Sequence, residues 1–301
     1  MRLTRGSKAS LAIVAMVLAG CGTARTSAGT APPTSAPAST SPATPPTLTD
    51  QAVLQRALAA WADFPVNASP RPLVLPDGDD QIVASPAFGV SSNDQKLAFG
   101  EGAIDPPPIL PSTPTEADGY GLITAGQAFR ELSAGNGQSL TTTRIQTTSV
   151  TLGTASFDDD RGAVQLPAWV VTFGGGVTGS QEVLAVSPAS TSPIPAPLLA
   201  VSGLSMFYQA ELSSDGRTLT VDTGGAPPGS GPCDARYSLE VASSDTAVAI
   251  GVVVQPNPAP SDQVCGYPEM LTQLTTVLTA PLGARVVVNV QAQPVEVTES
   301  S

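Results

Sequence analysis

Any chemistry in this chain falls to carboxylates, to cysteines or to Lys96, because the sequence contains no histidine. Without imidazole there is no Ser-His-Asp or Cys-His arrangement, no imidazole metal ligand and no imidazole general base. A Ser-Lys dyad would have to use Lys96, which lies in Ser92-Asn93-Asp94-Gln95-Lys96-Leu97-Ala98-Phe99. That stretch reads as a short capped helix with the lysine on its wet face. Gly174-Gly175-Gly176 follows a strand pattern but opens no helix and lacks the Lys-Ser/Thr of a phosphate-binding loop. Two runs are dense in the oxygen donors that Ca²⁺ takes, Asp77-Gly78-Asp79-Asp80 and Asp158-Asp159-Asp160-Arg161-Gly162. Neither matches the twelve-residue loop with its closing glutamate, and both sit between apolar segments, so they read as polar turns between strands, with weak Ca²⁺ binding as the alternative. A carboxylate pair for glycoside hydrolysis cannot be picked from 25 acidic residues by sequence alone.

The cysteines point to location. Leu18-Ala19-Gly20-Cys21 closes an apolar run from Leu11 to Leu18 that follows Arg2, Arg5 and Lys8. This is a basic, apolar and small-residue order of an export signal, and the apolar part is far too short to span a bilayer. The motif resembles a bacterial lipobox. The resemblance implies that the Cys21 thiol takes a diacylglyceryl group, that residues 1–20 are removed, and that the acyl chains, palmitate among them, anchor the protein to the membrane. Cys233 and Cys265 remain, an even count for an oxidising compartment, and their pairing is the default expectation. A bridge between them would close a loop of 33 residues. On the chain-entropy argument such a loop is worth roughly 3.7 kcal/mol. The alternatives are two free thiols or a metal site that would need carboxylates to complete it.

After Cys21, residues 22–47 are Gly, Thr, Ala, Ser and Pro with Arg25 as their only charge, so 21–47 reads as a lipidated cysteine and a solvated tether. Once Arg2, Arg5 and Lys8 are removed with the signal, ten basic residues face 25 acidic ones, a net charge of −15. The arginines are scattered singly, so no basic stripe exists for a nucleic-acid backbone to follow.

The remaining chain predicts an α+β fold. Val53, Leu54, Leu58 and Trp61 share one helical face, with Thr49 or Asp50 as the cap. Short strands are expected at Arg71–Leu75 and Gln81–Val83, a proline-rich loop over 105–120, and a helix after Thr124 carrying Phe129. Strands over 142–157, 163–173 and 182–186 would make a meander with Trp169 in its core. Prolines at 188, 193, 195 and 197 suggest a boundary between an α+β domain over 48–190, a helix laid on an antiparallel sheet, and a small antiparallel β domain over 198–298, sandwich or open barrel. In the second part Asp215-Gly216 is a direct hairpin signal.

The sequences Trp61-Ala62-Asp63-Phe64-Pro65-Val66, Pro70-Arg71-Pro72-Leu73-Val74-Leu75, Leu166-Pro167-Ala168-Trp169, Cys233-Asp234 and Ala280-Pro281-Leu282-Gly283 resemble those of uncharacterised exported lipoproteins of high-GC Gram-positive bacteria. That resemblance implies location and architecture and carries no catalytic residue. The expectation is a non-enzymatic envelope lipoprotein without cofactor, whose folded part binds an envelope protein, a wall polymer or a small ligand outside the membrane. The other readings are a solute-binding component of a transporter and a hydrolase that uses carboxylates.

Overall fold

The opening helix α1 (Asp50–Ala60) buries Val53, Leu54, Ala57 and Leu58, the stripe its spacing predicts. The computed structural model describes residues 50–76, 81–136, 140–199, 204–205, 207, 209–225, 228–229, 234–257 and 271–300. Cys21, Cys233, Cys265, the expected tether and the acidic run at 77–80 lie outside those residues.

Numbered along the chain, the first sheet has the order β1 (Ile82–Ala84), β7 (Ser180–Leu184), β6 (Gly162–Phe173), β5 (Ile145–Asp159) and β2 (Ile104–Asp105). It is antiparallel except for β2, which runs parallel to β5. A small hairpin joins β3 (Glu116–Ala117) to β4 (Tyr120–Gly121) within the proline-rich loop. Alternation along β6 sends Trp169, Val171 and Phe173 to one face and Leu166 and Ala168 to the other. The first face is covered by α2 (Asn93–Gly100) and α3 (Ala125–Leu132) through Ala98, Ala128, Phe129 and Leu132. Side-chain caps start both helices: the Ser92 hydroxyl accepts the Gln95 N–H at 3.2 Å, and the Thr124 hydroxyl accepts the Gln127 N–H at 3.1 Å. The buried Trp169 indole donates to the Ile123 carbonyl at 3.0 Å, tying the sheet to the start of α3.

The second half contributes β8 (Leu204–Ser205), β9 (Gln209–Leu212), β10 (Thr218–Gly224), β11 (Ala235–Ser243), β12 (Ala247–Pro256), β13 (Leu271–Val277), β14 (Val286–Val288) and β15 (Glu296–Glu299). One sheet runs β13-β10-β9-β15; the other runs β11-β12-β14, with β8 also on β12. Strand β12 is buried on both faces. Val248, Ile250 and Val252 meet Leu219, Val221 and Leu282 between the sheets, while Ala247 and Ala249 meet Leu54, Leu58 and Trp61 of the helical segment. The result is a layer order of helix, sheet, sheet.

Here the structure differs from the expected order of a helix-on-sheet domain followed by an all-β domain. The coarse class stands: the fold is β-rich, with three α-helices among the described residues. But α1 packs on the second half, because Ala242, Ala247 and Ala249 leave a shallow face that admits a helix. The Trp61 indole fixes it there by donating to the Ala292 carbonyl at 2.9 Å. Residues Pro46–Ser301 accordingly cluster as one compact unit.

Other departures are local. Arg71–Leu75 makes a single bridge, Leu73 to Thr191, in place of a strand. Pro72 has no N–H to give, and Leu73 and Val74 point into two different cores. The half expected to be antiparallel contains two parallel pairings, β12 with β14 and β9 with β15.

Candidate functional site: a buried ionic cluster at the β5–β6 turn

The β5–β6 hairpin turns through Asp159-Asp160-Arg161-Gly162, and Gly162 takes φ +94°, a backbone conformation that side chains resist. Sequence reasoning makes this a polar turn between strands. It is a turn, but a covered one: Asp160 is 0 % exposed and Asp159 only 7 %. The second half closes over it, since the Val297 N–H of β15 donates to the Asp160 carbonyl at 3.1 Å while the Asp160 N–H donates to Val74 at 2.8 Å.

A carboxylate so buried needs charge and hydrogen bonds in compensation. Arg71 supplies a two-pronged pair, Nη1 to Oδ1 at 2.8 Å and Nη2 to Oδ2 at 2.6 Å. Arg161 adds a looser contact, with Nε 3.8 Å from Oδ2. The Arg71 guanidinium also lies over the Phe64 ring, 4.9 Å from its centroid.

The same arginines converge on the turn at 280–285. Arg285 donates to the carbonyls of Ala280, Pro281 and Leu282, Arg161 to those of Gly283 and Arg285, and Arg71 to that of Ala284. Six consecutive carbonyls from Ala280 to Arg285 thus each accept a guanidinium N–H. Guanidinium suits this loop because its planar fork of donors can serve several carbonyls of one turn at once.

Electrostatics follow burial. The Asp159 carboxyl is held above its ordinary range, chiefly by loss of water, with the neighbouring Asp160 charge adding to the rise and the Arg161 backbone N–H opposing it. Burial lowers the Arg161 and Arg285 guanidinium groups, with acidic neighbours acting in the other direction. The donors here already face carboxylate and carbonyl oxygens. The arrangement is a lock between the first sheet and the second half.

Of the residues singled out by sequence, Lys96 lies exposed on α2, and Trp169 and Phe129 are core. Among the described residues no group of three or more His, Cys, Asp or Glu is placed to hold a metal ion. In the run at 158–162, the charge of the central Asp160 is taken up by Arg71. The residues missed were Arg71, an isolated charge in a proline-rich stretch whose partners lie 89 and 213 residues along the chain, and Arg285, which folds back on carbonyls three to five residues before it. No protein-family model, no curated protein and no solved structure matches the chain.

Proposed function

We propose that this chain is a lipid-anchored protein of a bacterial envelope, acylated at Cys21, released from a signal over 1–20 and held off the membrane by residues 21–47. The observation that carries the reading is Leu18-Ala19-Gly20-Cys21 behind a basic start and a short apolar run. The resemblance to exported lipoproteins of high-GC Gram-positive bacteria supports it, as does the Thr, Pro and Ser content of the following stretch. Among the described residues no helix is long and apolar enough to cross a membrane.

The folded remainder serves as a non-enzymatic binding module for an envelope protein or wall polymer. The absence of histidine and the structural engagement of the buried charges at the β5–β6 turn support that part. Cys233 and Cys265 are joined as a disulfide in this reading, which export makes chemically natural. Cys21→Ser tests the anchor. The variant is expected to leave the membrane fraction for the medium or to accumulate as uncleaved precursor. A variant that fractionates and migrates like the parent protein overturns the proposal.

A further inference from the structure

Strand β13 is the outermost strand of its sheet, paired with β10 on one side and, among the described residues, with no strand on the other. Just past the end of that ladder the Leu278 N–H donates to the Arg217 carbonyl at 2.9 Å. Pairing in antiparallel ladders alternates, so Thr272, Leu274 and Thr276 share the bonds to β10. Leu271, Gln273, Thr275 and Val277 turn their N–H and C=O groups to the open side. The side chains of these four residues are exposed as well, Leu271 by 72 % and Val277 by 69 %.

Among the described residues, nothing in the strand itself guards this edge. Residues 271–277 carry no charge and no proline. Elsewhere, β11 exposes Arg236 and Glu240, β15 exposes Glu299, and β1 and β2 are only three and two residues long. Those are the usual devices that stop an edge from pairing. Among the described strands longer than three residues, β13 is the edge that lacks them.

The pattern also specifies the occupant. Read in either direction, the outward positions run apolar, polar, polar, apolar. Such self-complementarity is what a two-fold contact requires. We propose that β13 pairs antiparallel with β13 of a second copy of this chain, about an axis through Leu274, extending the four-stranded sheet to eight strands. Leu271 then faces Val277 of the second copy, and Gln273 faces Thr275. A slip of two residues would set Leu271 against a threonine and leave an apolar residue unmatched. The pairing is independent of the anchoring proposed above.

Sedimentation velocity on the full chain, made without acylation, tests it. Mass is expected to rise with concentration from 30.3 kDa towards twice that value. Gln273→Lys combined with Thr275→Lys puts lysine opposite lysine in both polar rows at positions exposed in the single copy. It is expected to weaken the dimer about tenfold or more. Gln273→Lys combined with Thr275→Glu puts opposite charges across the same rows in this register alone and should dimerise at least as well as the parent. Matching far-UV circular dichroism separates loss of pairing from loss of fold. A parent chain that stays monomeric up to about 100 µM overturns the proposal. So does a double-lysine variant that dimerises like the parent, or a lysine–glutamate variant that dissociates like the double-lysine one.

Discussion

Asp160 owes its place to partners that are remote in the chain, and the cost of removing it follows from what would be stranded. With the carboxylate gone, the Arg71 and Arg161 guanidinium groups lose their buried counter-charge. Asp160→Ala is expected to cost about 3–5 kcal/mol in urea denaturation, whereas Arg71→Met combined with Asp160→Leu should cost less, because the closest pair is removed together and only the looser Arg161 contact is lost. Neighbouring Asp159 acts with the opposite sign. Its folded-state pKa lies above the unfolded value, so the native state binds the proton more tightly, and stability falls as pH rises from the ordinary carboxylate range through the raised value. Asp159→Asn keeps an acceptor for the Arg161 N–H and should flatten that slope, so that thermal melts between about pH 4 and 7 show the variant at least as stable as the parent at the upper end. Asp215 shows the converse: hydrogen bonds from Ser213, Arg217 and Thr218 hold its carboxyl below the usual range. Its contribution is present above the unfolded pKa and lost as pH falls through the folded one, so Asp215→Ala should melt below the parent at neutral pH and approach it in acid. Asp215 was legible in the sequence because all its partners lie within three residues. Asp160 was not, since Arg71 is 89 residues away.

Elements with a strong period were legible, and their docking was not. The stripe Val53, Leu54, Ala57 and Leu58 defines α1 correctly, yet nothing in those residues says which sheet they will cover. The deciding features are the alanines of β11 and β12, far along the chain. Segment β15 was missed as a strand, because Glu296-Val297-Thr298-Glu299 is short and acidic and is held by parallel pairing to β9. Within β12 a glycine matters. A Cβ on Gly251 would stand 2.7 Å from Leu204 Cδ1 and 2.9 Å from Val290 Cγ1, closer than side chains tolerate. Gly251→Ala is therefore expected to cost about 1–3 kcal/mol in chemical denaturation, without change in oligomeric behaviour.

At the scale of the whole molecule, the boundary suggested by Pro188 to Pro197 and the observed packing lead to different melting behaviour. Because α1 lies on the second half and the β5–β6 turn is clamped by residues 283–285, Pro46–Ser301 should unfold in one cooperative calorimetric transition. The proposed bridge is checked separately: non-reducing peptide mapping should recover peptides containing Cys233 and Cys265 as a linked pair, and two free thiols would exclude it. The link between β15 and Asp160 carries a consequence for how the protein is made. The carbonyl of Asp160 meets its partner only when Val297 arrives, 137 residues later, and Trp61 meets the Ala292 carbonyl 231 residues later. Contacts of such separation must close long loops before they return any stability, which slows folding. A newly synthesised chain can therefore close the core of its first sheet, complete by Ala185, while α1 and the β5–β6 turn wait for partners that come last, so the final residues are the ones that seal the molecule.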